Sequence, residues 1–354
     1  MLALMVGLVL AAPGCATLEA PTADRYLVAV RYDVEPQLIS LDRGTGVAAV
    51  FRSFEAIAAW GFDGVALRHV EDADRAALLD YARETDLTVI VPDRRCQHFV
   101  LTGALPMECS GVSDLARTIP REVTSHPAFR GLLIGPIRGR RAADRAAALR
   151  AELQQRNITC VVLGGDEIGG KGEGHAIIDA AMLQTDPQTS PVERWLAQFH
   201  AGLSAGRTTG VVIDRYRRPP GDPRTLASPA GPPTPAQAAA IEALLTRARH
   251  WGTRLYGFSA EPIANVTTDG IDVQVTALER GRRRYVLVLN PAADRYARGR
   301  VLLPTMIGGA VANRAVEVLP SCDRAGGHVV DATRGRIALS VVLRPGDAAL
   351  FEVF

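Results

Sequence analysis

The chain has 354 residues, 47% of them hydrophobic, enough for one large domain or for a barrel with a smaller module attached. Its 40 basic and 38 acidic residues leave a net charge of +2, with no basic block interleaved with aromatics, which argues against nucleic acid as a partner. The seven histidines form no HxH or HExxH pattern, so no metal or cofactor is expected.

Residues 2–12 form an apolar run of about a dozen residues, too short to span a bilayer and suited to the core of a signal peptide. Ala12-Pro13-Gly14-Cys15 follows and resembles the bacterial lipobox, in which the cysteine is lipidated and becomes the mature N-terminus. No Lys or Arg precedes the run and Pro13 is unusual there, so an ordinary secretory signal cut elsewhere is the competing reading. Either way the mature protein is expected to be exported, at the periplasm or cell surface, with a membrane partner if Cys15 is lipidated.

Strand and helix then alternate. Strands are expected over 26–32, 65–70, 87–91, 129–134 and 159–163, each short, apolar and rich in β-branched residues. Between them, Val47, Val50, Phe51, Phe54 and Ile57 recur at helical spacing, as do Leu78, Tyr81 and Ala82 and the Ala- and Leu-rich stretch 142–155. Residues 92–110 are expected as a long loop in which Cys96 and Cys109 either pair as a disulfide or stay as two buried thiols. A glycine-rich loop covers 164–174, and 176–183 is strand six or else a helix. A helix over 192–203, strand seven over 210–216, a Pro- and Gly-rich loop to 235, a helix over 236–251 and strand eight over 254–259 complete the pattern. No glycine-rich phosphate turn follows the first strand, and eight βα units favour a closed (β/α)8 barrel over an open doubly wound sheet.

After Thr268 the runs become short and alternating, at 271–278, 285–290, 299–303, 315–319, 328–330, 337–342 and 348–353. This predicts an all-β sandwich over 269–354, behind a barrel over 25–268 and a signal and tether over 1–24.

The segment His126-Pro127-Ala128, followed by an apolar run into Gly135, resembles the fourth strand of retaining glycoside hydrolases of the β-galactosidase and cellulase type. Asp179, Met182, Leu183 and Gln184 resemble a pattern on the sixth strand of some such barrels, and Pro345-Gly346-Asp347 resembles the last hairpin of the β-domain that often follows them. The resemblance implies a (β/α)8 barrel acting on oligo- or polysaccharide. In that family the fourth strand ends in the general acid/base Glu. Here Gly135, Pro136, Ile137 and Arg138 stand instead, and none of them can donate a proton at accessible pH.

Barrel enzymes work at the carboxyl ends of the strands. The polar residues expected there are Asp33 and Glu35, Arg68 and His69, Asp93, Asp166 and Glu167, Gln184 and Asp186, Asp214 and Glu261. Glycoside hydrolysis needs two carboxyl groups, one protonated and one ionised. Asp214 is the first candidate, because strand seven carries the nucleophile in the resembled family, where an Arg at the place of Arg68 hydrogen-bonds it. Glu167, on a loop able to close over substrate, is the candidate acid, and Glu261 the reserve. A rearranged carboxylate pair would make the chain a glycoside hydrolase; a chain that had lost the chemistry would be a glycan-binding or scaffold lipoprotein.

Overall fold

A computed structural model describes residues 26–33, 43–68, 70, 74–137, 139–164, 175–179, 191–214, 235–292, 294–319 and 327–354. Seven parallel strands close into a barrel in sequence order: β1 (Leu27–Asp33), β2 (Gly64–Arg68), β3 (Thr88–Pro92), β4 (Phe129–Ile137), β5 (Cys160–Gly164), β6 (His175–Asp179) and β7 (Gly210–Asp214). Closure is direct, β1 pairing with β7 from Leu27↔Gly210 to Val30↔Ile213. Strand six is therefore a strand and not a helix; its expected continuation through Gln184 and Asp186 lies outside the described residues.

Period two runs through every described strand. Leu27, Ala29, Ala66, Ile90, Leu133, Val161 and Val212 fill the barrel interior. The alternate residues, Val28, Val30, Val65, Leu67, Val89, Val91, Val211 and Ile213, join the core beneath the helices. The surrounding helices are α1 (Arg43–Ala59), α2 (Arg75–Glu84), α3 (Arg94–Thr102), α4 (Val112–Arg117), α5 (Arg121–Thr124), α6 (Arg140–Gln154), α7 (Pro191–Ser204) and α8 (Pro235–Arg247). Each longer helix buries one stripe, such as Val50, Phe54 and Ile57 on α1 or Ala142, Ala146, Leu149 and Leu153 on α6.

Three expectations need correction. The loop at 92–110 contains α3, capped at its start by Asp93 and ended by Gly103 in the left-handed conformation. Asp93 at the N-cap and Cys96, Phe99 and Val100 at helical spacing are the sequence signals for it. Cys96 and Cys109 are not bonded: Cys96 faces the apolar cluster under α3 and α6, where burial pushes its thiol pKa up. The eighth barrel strand is also absent. From α8 the helical path runs on through a π-turn at Ala248–Gly252 and α9 (Thr253–Leu255), burying Trp251, Leu255 and then Phe258. β8 (Ser259–Pro262) pairs antiparallel with residues 276–279 instead.

The antiparallel part consists of β9 (Thr267–Thr268), β10 (Gln274–Arg280), β11 (Arg283–Leu289), β12 (Ala297–Pro304), β13 (Met306–Ile307), β14 (Ala310–Val311), β15 (Arg314–Glu317), β16 (Val329–Asp331), β17 (Arg336–Leu343) and β18 (Ala348–Val353). One sheet runs β16-β15-β18-β11-β10-β8 and the other β17-β12-β9. The seven strands expected from 271 onward are all present within a few residues; β8, β9 and the β13–β14 hairpin were not expected. Val286, Val288, Phe351 and Val353 face the smaller sheet, across from Val301, Leu339 and Val341. The opposite face of the larger sheet, with Tyr285, Leu287, Leu289 and Leu350, continues the barrel's own core against Trp195, Phe199 and Trp251.

Candidate functional site

The carboxyl ends of the barrel strands place the candidate residues at known register. Asp33 on β1 is the backbone partner of Arg68 on β2, and Asp179 on β6 is the partner of Asp214 on β7. In-register residues on neighbouring strands lie about 5 Å apart between Cα atoms, so two Asp residues stand side by side where β6 and β7 end. Asp179 was read from sequence only as part of a strand-six pattern and not as a site residue. Its signal was its place as the last residue of an apolar strand.

A small open cleft of about 160 Å³ lies at the same end of the barrel, over β1 to β4. Arg31, Arg68, Pro92, Leu133 and Gly135 form its walls, and Gln97 of α3 lines one side. Both arginines are half-buried. Arg68 makes no hydrogen bond or ion pair among the described residues. Arg31 went unremarked in the sequence because it lies within the strand and not after it.

Gly135 explains how β4 ends. The strand does not stop at Gly135-Pro136, as expected, but continues to Ile137 through an irregularity in its pairing with β5 between Ile134 and Ile137. Gly135 has φ +130°, a region open to glycine alone, and Pro136 has no amide hydrogen to miss in the broken ladder. Gly135, the first of the residues standing where the resembled acid/base Glu would be, thus lies at an irregularity of the strand and forms part of the cleft wall. The His-Pro-Ala approach is also accounted for: the His126 ring accepts from the Ala128 amide at 3.2 Å and meets Asp80 of α2 at 3.3 Å, fixing the turn into β4.

Two expected site residues have other work. Asp93 is 1% exposed and accepts from the Arg95 and Cys96 amides at 3.0 and 3.1 Å, while Arg95 and Arg75 approach it at 3.0 and 3.5 Å. Burial acts to raise its pKa, but the hydrogen bonds from Arg95 and the Cys96 amide, with the nearby positive charges, outweigh this and hold it below the usual carboxylate range. It caps α3. Glu261 lies on β8, paired with Ala277 in the antiparallel sheet, and so is not at the end of a barrel strand. The side chains of Asp33, Asp179 and Asp214, and Glu35, His69, Asp166, Glu167, Gln184, Asp186, Arg138 and Cys15 altogether, lie outside what is described. Among the described residues no cluster of metal-ligating side chains is present.

No family model and no curated protein sequence matches this chain. Solved structures do. AmyP in complex with maltose matches with a TM-score of 0.50 and 12% identity, over 96% of this chain and 98% of that one. The α-fucosidase of Thermotoga maritima in complex with fucose matches with a TM-score of 0.48 and 10% identity, over 94% and 96%. The glycoside hydrolase family 30 subfamily 8 xylanase of Clostridium acetobutylicum matches with a TM-score of 0.41 and 9% identity, over 93% and 95%. At these identities the likeness concerns the fold, and the likeness to AmyP carries it: barrel and β-domain are shared over nearly the whole of both chains.

Proposed function

We propose that this chain is an exported, carbohydrate-active protein in which a glycoside hydrolase's carboxylate pair has moved away from strand four. The observation that carries the reading is the register of Asp179 beside Asp214 at the mouth of a barrel whose fourth strand carries no carboxylate near its end. Two carboxyl groups on neighbouring strands cannot both ionise easily, because like charges at short range raise one pKa. The protonated member is a general acid; the ionised one is a base or nucleophile. Register adds Asp179 to Glu167 as a candidate donor, with Asp214 as the base or nucleophile. The cleft favours a second reading, a non-catalytic glycan-binding protein, because its described walls hold two arginines and no carboxylate.

A hydrolysis screen run beside a glycan array on the same oligosaccharides separates the two readings. Asp214→Asn should lower kcat by about 10²- to 10⁴-fold while the fold survives. Asp179→Asn should hurt poor leaving groups most, and Glu167→Gln should do so only if the loop supplies the proton. Unchanged turnover in Asp214→Asn removes the catalytic assignment. Binding without hydrolysis leaves the second reading. For the exported state, Cys15→Ala should leave membrane fractions for soluble ones; undiminished membrane partitioning excludes lipid at Cys15.

A further inference from the structure

We infer that the cleft over β1 to β4 takes the anionic substituent of an acidic sugar, a carboxylate or a sulfate ester, with Arg68 as its principal ligand. This rests on the carbohydrate reading above and narrows its substrate class. A half-buried guanidinium has lost part of its hydration, and a folded protein normally returns that loss through a carboxylate or carbonyl partner. Arg75 shows the usual solution in this chain: it is 3% exposed and bonded to Asp93 and to the Pro92 carbonyl. Arg68 has no such partner among the described residues, although it ends a barrel strand where ligands are bound. Its five N–H donors lie in a fixed plane suited to two oxygens of one oxyanion.

The rest of the wall agrees with this. Arg31 adds a second guanidinium to the wall and Gln97 adds an amide. Gly135 contributes no side chain on the β4 side, so the ligand can approach the backbone closely. The volume of about 160 Å³ suits one charged substituent with the edge of its ring, not a polymer segment. The extended glycan would continue over the strand ends toward β6 and β7, where Asp179 and Asp214 stand in register. The arginines of β1 and β2 can hold a charged sugar by its substituent while the adjacent bond lies over the ends of β6 and β7.

The test uses the full chain and three galactose-based trisaccharides, one uronate, one sulfated and one neutral, titrated calorimetrically. At least one charged ligand should bind about tenfold or more tightly than the neutral one, and which of the two does so identifies the oxyanion. Arg68→Met should weaken that ligand about ten- to a hundredfold, and the neutral one far less. Arg68→Lys should fall between, keeping the charge without the fork, and it replaces Arg68→Met if the latter fails to fold. Equal affinity for charged and neutral ligands, or undiminished charged-ligand binding in both variants, overturns the inference. If neutral glycans bind and charge adds nothing, this inference alone fails. If no glycan of any class binds, the carbohydrate reading fails and takes this inference with it.

Discussion

His200 shows how a single buried group sets a condition on stability. It is fully buried on α7, with Nδ1 3.1 Å from the Gly346 carbonyl and Nε2 3.1 Å from Arg247 Nη1. Those partners select the neutral ring with hydrogen on Nδ1, donating to Gly346 and accepting from Arg247. Burial pushes the pKa down to about 3, Arg247's charge adds to the fall, and the bond to Gly346 opposes it. The folded value thus lies below the ordinary 6.5, so the unfolded chain binds the proton first as pH drops. The stability is complete above about pH 6.5 and is lost as pH falls toward 3. Urea titrations should show this group costing about 2 kcal/mol between pH 6.5 and pH 5. His200→Gln should flatten that slope, and an unaltered slope would assign the acid sensitivity to other groups. Asp93 works in the same direction lower on the scale, since its folded pKa is depressed and its contribution is lost with protonation.

At the scale of elements, the last hairpin shows why a short sequence pattern can be legible before its reason is. Pro345-Gly346-Asp347 reads as a turn from sequence alone. The structure adds what the turn touches: a Cβ on Gly346 would stand 2.3 Å from the Ala197 Cβ of α7, and Asp347 pairs with Arg247 at 3.7 Å while Arg247 lies over the Trp251 ring at 4.4 Å. Gly346 also has φ +67°, so Gly346→Ala combines backbone strain with overpacking. It should destabilise the protein by about 2–4 kcal/mol in chemical denaturation; a change below about 0.5 kcal/mol would mean that hairpin and helix separate freely. Elsewhere, legibility followed burial. β1 to β5, β7, β11 and β18 were readable because both faces are apolar, and β17 because it alternates. α3 was missed because its polar residues and the spacing of Cys96 and Cys109 suggested a loop, although Asp93 and Gly103 marked both ends. The arginine cleft was half legible. Arg68 ends an apolar strand, but Arg31 lies inside one, and the parallel pairing of β1 with β2 brings the two onto one wall.

At the scale of the whole molecule, the sequence supplied the order of elements but not the ring size. Residues 254–259 were counted as an eighth strand because Leu255, Tyr256 and Phe258 are apolar and follow a helix. Apolar content cannot say which sheet such a segment joins. Here Leu255 and Phe258 are buried between helices and sheet, β8 pairs with β10, and β1 and β7 close without it. Phe258 meets Tyr285 at 5.5 Å, Trp251 donates to the Val318 carbonyl at 3.2 Å, and Ser204 bonds Thr276 at 2.8 Å. Barrel and antiparallel sheets therefore share one core, and calorimetry should record one transition whose calorimetric and van't Hoff enthalpies agree. Two resolved transitions, or a folded fragment ending near residue 258, would show that the halves stand alone.

The shared core also sets an order of events for a newly made chain. The helical surface carrying Trp195, Phe199 and Trp251 is complete once residue 255 has been synthesised, but its cover on β11 and β18 lies as far as residues 285–289 and 348–350. Until β18 emerges, that surface stays exposed and prone to aggregate. A nascent barrel cannot rest as a finished intermediate, and a chain cut before residue 348 lacks β18, the strand between β15 and β11. Selection on residues 348–353 should therefore act through yield and solubility, although none of them belongs to a barrel strand.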